Sequence, residues 1–322
     1  MARLNLQGWL PIRLFERDGV PRIDWCWFGD RRLTHPFFQD DVETALRLPF
    51  NQALRQDTAL HDLLDWQQTS PGLEPNVFIF HASRCGSTLL AQMLARLDDH
   101  VVLSEPPPLD QALRAHYRSG LHGEAQHDAV RAMLSALGQR RAGSERRLAV
   151  KLDAWNIFEL PLLRRCFPTT PWLFLYRDPL EIAVSHLQQP GMHMIAGMLG
   201  ASPLNQVEDA PAPRETFIAR RLGRLLETAA HLCREHDGLA LEYSELPMAL
   251  DGRLREWLGL DATQVTRALE ACGRHAKRPA QAFTADGQRK RAEATSQLGA
   301  AIERWADAPY RELERLRLEQ GG

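Results

Sequence analysis

The chain has 322 residues, 44% of them hydrophobic and 25% charged, with a formal net charge of −2 at pH 7. That composition supplies a full core and excludes a general nucleic-acid binder, while the lack of any apolar run of about 18 residues excludes a membrane span. The N-terminal stretch lacks the apolar core of a signal peptide, and five cysteines at 26, 85, 166, 233 and 272, with no C-x-x-C pair, point to reduced thiols and a cytoplasmic setting.

Residues 1–70 read as a small appendage, dense in aromatic and proline residues (Trp9, Pro11, Trp25, Trp27, Phe28, Pro36, Phe37, Phe38) and closing with a helix before Ser70-Pro71-Gly72. Residues 71–322 form the main domain. Val77-Phe78-Ile79-Phe80 is a continuous apolar run, the pattern of a parallel strand covered on both faces. Leu89, Leu90, Met93, Leu94 and Leu97 then recur at helical spacing. Further strands follow at Val101–Ser104, ending in Glu105 and three prolines; at Leu148–Asp153, where Lys151 and Asp153 share one face; at Trp172–Tyr176; and at Leu239–Leu246. Helical stretches separate them: a polar one from Leu109 to about Gly138, Trp155–Phe167, one opened by Pro179, Arg214–His236, and a charged C-terminal region from Gln288 to Arg317. Gln189–Pro213, rich in proline and methionine, is expected to be a mobile segment. The alternation of strands and helices predicts an α/β fold with a parallel sheet flanked by helices.

The chemistry concentrates between the Val77 strand and its helix. Arg84-Cys85-Gly86-Ser87-Thr88-Leu89 is a turn of small residues at a helix start, where free backbone N–H groups and the helix dipole converge on one spot suited to phosphate or sulfate. It is not the G-x-x-x-x-G-K-[ST] loop of nucleotide triphosphate enzymes, because Gly86 is followed directly by Ser87 and the one cation, Arg84, precedes the glycine. The loop resembles the 5′-phosphosulfate loop of the P-loop sulfotransferases that use 3′-phosphoadenosine 5′-phosphosulfate (PAPS), in which a basic residue is followed by Ser-Gly-Thr-Thr; Cys85 stands for that serine. Arg177, after the Trp172 strand, and Ser185, eight residues later, resemble the pair that grips the 3′-phosphate in that family. Tyr243-Ser-Glu-Leu is similar to the family's Tyr-Glu-Asp-Leu, whose tyrosine borders the adenine.

The resemblance covers roughly residues 75–280 and implies a P-loop-type fold and transfer of a sulfuryl group from PAPS to a hydroxyl or amine of a small-molecule or peptide acceptor. No metal is expected, since a sulfuryl group carries less charge than a phosphoryl group. Trp25–Phe38 either packs on the main domain or walls the acceptor pocket. The resemblance implies a catalytic base at Glu105, as in Golgi-type members, or at Asp153, since Lys151-x-Asp153 stands where cytosolic members have Lys-x-His. Glu105, stiffened by its prolines, is the first choice, with Lys151 and Arg84 neutralising charge on the bridging oxygen. The family's closing Arg-x-Gly-x-x-Gly loop has no counterpart. Lys277 and Arg278, in the basic run from Arg274, either replace it at the 3′-phosphate or form a solvated surface.

Three other readings compete. A P-loop small-molecule kinase needs a loop lysine and a magnesium carboxylate, for which Asp178 is the candidate. A cysteine phosphatase centred on Cys85 needs an arginine at 91, which is Ala91. A non-catalytic nucleotide-binding protein would keep the loop without turnover.

Overall fold

The computed structural model describes residues 5–205, 212–275, 278–282 and 287–321. Strands β1 (Trp9–Arg17) and β2 (Val20–Trp27) form an antiparallel hairpin. The link is Asp18-Gly19, with φ of 53° and 74°. Two successive left-handed residues make the type I′ turn whose twist matches the strands, and Asp-Gly is a strong sequence signal for it. Helices α1 (Phe38–Leu46) and α2 (Pro49–Ala53), strand β3 (Gln56–Ala59) and helix α3 (Leu60–Thr69) complete the N-terminal region, with β3 antiparallel to β2. Buried Asn51 ties it together, its amide accepting from the Trp27 N–H at 2.8 Å and donating to the carbonyls of Trp27 at 2.8 Å and Ala45 at 2.9 Å.

Strand β4 (Pro75–His81) leads into α4 (Ser87–Ala95), then β5 (His100–Ser104), α5 (Pro107–Leu113), α6 (Gly123–Leu137), β6 (Arg147–Lys151), α7 (Leu160–Cys166), β7 (Trp172–Tyr176), α8 (Pro179–Gln188), α9 (Arg214–Glu235) and β8 (Leu239–Glu242). Five of these strands make a parallel sheet of order β5-β6-β4-β7-β8, as the apolar runs predict. Beyond it come α10 (Arg253–Trp257), α11 (Ala262–Leu269), an antiparallel pair β9 (Arg274–His275) and β10 (Arg278–Ala282), then α12 (Gly287–Glu293), α13 (Ser296–Trp305) and α14 (Asp307–Glu319).

The chain divides into two compact units, one of Met1–Phe78, Ala91–Leu152 and Pro161–Thr170, the other of Ile79–Leu90, Asp153–Leu160 and Pro171–Gly322. In the first, Phe78, Leu103, Leu134, Leu148 and Val150 are buried. In the second, Ile79, Phe80, Leu173–Tyr176 and Leu225 form the core, and the Tyr176 hydroxyl donates to Glu314 Oε1 at 2.6 Å, fixing α14.

Three local expectations change. The helical region from Leu109 to about Gly138 holds α5 and α6 and is less polar than expected, α6 being buried along Ala129, Val130, Ala132, Met133, Leu134, Ala136 and Leu137. Alanines give it a buried face with little hydrophobic signal. Asp153 lies outside β6 and opens a 3₁₀ turn (Ala154–Glu159), so it does not share a strand face with Lys151; its N–H donates to Asn156 Oδ1 at 3.0 Å. Strand β8 stops at Glu242, and Tyr243 begins another 3₁₀ turn.

Candidate functional site

The turn after β4 is built from left-handed backbone. Ser83, Arg84 and Gly86 have φ of 64°, 50° and 86°. Such a run aims successive N–H groups into one concavity. The N–H groups of Gly86, Ser87 and Thr88 find no acceptor among the described residues, whereas that of Leu89 is taken by the Gly86 carbonyl at 2.8 Å. The loop is held from below. The Ala82 N–H and the Cys85 thiol both donate to the Leu175 carbonyl, at 3.0 Å each, and the Ser83 N–H donates to His81 Nδ1 at 3.0 Å. Arg84 donates to the Gln189 carbonyl at 2.8 Å, joining the loop to the segment after α8. In that segment His193, Met194, Leu199 and Leu204 are buried.

Cys85 therefore turns inward, and only its backbone can face a ligand. Since the Leu175 carbonyl keeps the Ala82 N–H as a partner, Cys85→Ala is expected to cost only about 1 kcal/mol in thermal or urea unfolding, and Cys85→Ser less. Neither change should move nucleotide affinity more than about 3-fold by calorimetry, within about 0.7 kcal/mol.

Gly86 meets the tyrosine of the β8 turn. A Cβ at Gly86 would stand 2.4 Å from Tyr243 Cδ2 and 2.6 Å from Cε2. The guanidinium carbon of Arg177 lies 4.5 Å from the centre of the same ring. Loop, arginine and tyrosine thus come together in the second unit, around one aromatic plane. Arg177 is 7% exposed, and its Nε donates to Glu181 Oε2 at 2.6 Å. Asp178 caps α8, accepting from the Leu180 N–H at 2.8 Å, and pairs with Arg291 at 2.9 Å. Ser185 sits half-buried on α8, four residues after Glu181 and so on the same helical face.

The second cluster lies in the first unit. Parallel register sets Ser104 beside Lys151 at the carboxyl ends of β5 and β6, and the Glu105 N–H donates to the Lys151 carbonyl at 2.8 Å. Lys151 is completely buried; its ammonium pairs with the Glu105 carboxylate, lies 3.4 Å from Ser104 Oγ and sits 5.3 Å from the Phe37 ring centre. Glu105 keeps 23% of its side chain exposed, so it is the member of the pair that reaches solvent. Its φ is 54°. A glutamate in the left-handed region carries backbone strain of order 1 kcal/mol that glycine would not.

Of the predicted site residues, Lys277 lies outside the described residues, and Arg278 is placed only as the first residue of β10. Glu181 and Arg291 are not among the site residues predicted from the sequence. The spacing of Arg177 and Glu181, four apart, was a legible signal; the return of Arg291 to α8 was not. Among the described residues no group of three His, Cys, Asp or Glu side chains is positioned to hold a metal ion.

No protein-family model matches the sequence, and no curated protein matches it. Solved structures similar to it include bacterial sulfotransferases. They include a sulfotransferase domain from the curacin biosynthetic pathway (14% identity, 76% of this chain and 98% of that one, TM-score 0.45). A sulfotransferase from Alicyclobacillus acidocaldarius has 15% identity over 76% of this chain and 96% of that one, with a TM-score of 0.40. One from Mycobacterium avium has 12% identity over 73% and 80%, also with a TM-score of 0.40. At these identities and TM-scores, only the site residues themselves can carry a functional reading.

Proposed function

We propose that this protein is a sulfotransferase that moves a sulfuryl group from PAPS to a hydroxyl or amine of a small-molecule or peptide acceptor. The observation that carries the reading is the meeting of Gly86, Tyr243 and Arg177 around one ring. These three come from three separate stretches, each of which resembles one part of a PAPS site. In this reading the N–H groups of Gly86, Ser87 and Thr88, with Arg84, hold the 5′-phosphosulfate; Tyr243 borders the adenine; Arg177 and Ser185 take the 3′-phosphate.

The acceptor oxygen or nitrogen attacks sulfur, its proton passes to Glu105, and the sulfur–oxygen bond to the nucleotide breaks, releasing adenosine 3′,5′-bisphosphate. Lys151, being fully buried against Glu105, is a positioning residue that keeps the carboxylate aimed. The left-handed φ of Glu105 supports a role for that side chain, because strain of this kind persists where function holds it. Asp153 is the alternative base. The kinase reading is less favoured, because Asp178, the carboxylate it would use for magnesium, is engaged as a helix cap and in an ion pair with Arg291.

The reading is tested by calorimetry. Wild-type protein should bind adenosine 3′,5′-bisphosphate in preference to ATP with magnesium. Arg177→Ala should weaken the bisphosphate by roughly 10–100-fold, the loss of charge-assisted hydrogen bonds, and leave adenosine 5′-phosphosulfate nearly unchanged. An equal loss for both ligands would take Arg177 away from the 3′-phosphate, and tighter binding of ATP would favour a kinase.

A further inference from the structure

The Arg177 end of the site already contains an anion. One oxygen of the Glu181 carboxylate accepts from Arg177, at 2.6 Å from Nε and 2.5 Å from the terminal nitrogen. The other oxygen lies 2.9 Å from Nε of Arg291, a residue of α12. Arg291 is held in turn by Asp178 at 2.9 Å, and Asp178 is fixed by capping α8. A single carboxylate between two guanidiniums has the shape of an oxyanion site, since planar forks of this kind grip carboxylate and phosphate alike. The four groups carry two positive and two negative charges, so the cluster is neutral as it stands.

Resting on the reading above, we infer that Glu181 is a resident counter-anion occupying the 3′-phosphate position, displaced when the nucleotide binds, and that Arg291 is the second cation of that position. Glu181 lies in the first turn of α8, where a side-chain rotation takes its carboxylate away from the arginines without moving the helix. Arg177 and Arg291 then flank the phosphate, with Ser185 one turn along the same face. Asp178 keeps Arg291 oriented throughout. The arrangement gives α12 the task of closing the phosphate end, in a chain that has no Arg-x-Gly-x-x-Gly loop. Until the phosphate arrives, Glu181 keeps two arginines, one of them buried, from facing each other unneutralised.

The obvious rival is that Glu181 serves to orient Arg177 for the ligand. The two ideas predict opposite signs. Calorimetry of wild type, Glu181→Gln and Arg291→Gln with adenosine 3′,5′-bisphosphate and adenosine 5′-phosphosulfate separates them. A displaced anion means that Glu181→Gln binds the bisphosphate roughly 10-fold tighter, since no charged competitor remains. Arg291→Gln should bind it roughly 10–100-fold more weakly while the phosphosulfate, which lacks the 3′-phosphate, stays within about 2-fold. Arg291 has 60% of its side chain exposed, so its variant is expected to fold even if the Glu181 variant does not. Weaker bisphosphate binding by Glu181→Gln, or an equal loss of both ligands in Arg291→Gln, would overturn the inference and leave the donor assignment standing. Failure of wild-type protein to bind either nucleotide would overturn both.

Discussion

Glu105→Gln should lower turnover by roughly 10²–10⁴-fold while leaving the affinity for adenosine 3′,5′-bisphosphate unchanged. The substitution keeps the shape of the side chain and an oxygen that can accept from Lys151, and removes only basicity and charge. Stability should fall as well. Lys151 is entirely buried, and breaking a buried pair by removing one charge typically costs ~3–5 kcal/mol. The cost is asymmetric. Lys151→Met leaves behind a carboxylate that is partly exposed and can be hydrated, so it should destabilise less than the glutamine variant. Single-turnover assays with labelled PAPS, run below the melting temperature of each variant, separate loss of chemistry from loss of fold. If Glu105→Gln turns over near the wild-type rate and Asp153→Asn does not, the base is Asp153.

Gly86→Ala should abolish measurable binding of both nucleotides. Two independent costs fall on one methyl group. The φ of 86° is a region where an L side chain costs roughly 1–2 kcal/mol, and the new Cβ would overlap the Tyr243 ring at 2.4 Å. Relief requires moving the loop or the ring, and each N–H lost from a phosphate or sulfate oxygen costs ~1.5–3 kcal/mol. Two or more such losses correspond to roughly a 10²-fold or greater loss of affinity. Calorimetry on Gly86→Ala and on Gly86→Ala with Tyr243→Ala divides the effect. The double variant removes the overlap but not the backbone strain, so partial recovery of binding is expected, and full recovery would mean the φ value matters little.

The central strands were legible because each is an unbroken apolar run, and a strand buried on both faces can be little else. The loop was legible for a different reason: small residues with one arginine between a strand and a helix leave few other conformations. What escaped was mostly long-range. Nothing local tells that the Cys85 thiol points to the Leu175 carbonyl, or that Tyr243 lies against Gly86, since both depend on the order of strands in the sheet. Lys151 reads as a strand-end cation, and its complete burial follows only from the register of β5 and β6. The β1–β2 hairpin is a different kind of miss. Asp18-Gly19 between alternating apolar residues is a hairpin signal, and Pro11 and Pro21 in the flanking runs argue locally against strands. At Glu105 the left-handed backbone was unreadable in principle, because a glutamate there is the opposite of what local preference selects.

The Ser70-Pro71-Gly72 stretch looks like a joint, and its structural setting is the reverse of one. The Gly72 N–H donates to Ser135 Oγ at 2.9 Å, the Leu73 N–H to the Gly138 carbonyl at 2.8 Å, and a Cβ on Gly72 would stand 2.0 Å from the Ser135 carbonyl oxygen. Upstream, Arg32 reaches the carbonyls of Ala95 and Leu97, at 2.9 and 2.6 Å, and Gln139 is bonded to Leu6, Gly8 and Trp9. Backbone polar groups of the later chain are thus satisfied by side chains of the first seventy residues, and the reverse is also true. A stretch knit in this way shares its hydrogen bonds with the chain that follows it. Deleting it would strip the Ala95 and Leu97 carbonyls of the Arg32 guanidinium and leave the Gln139 amide without the carbonyls of Leu6 and Trp9.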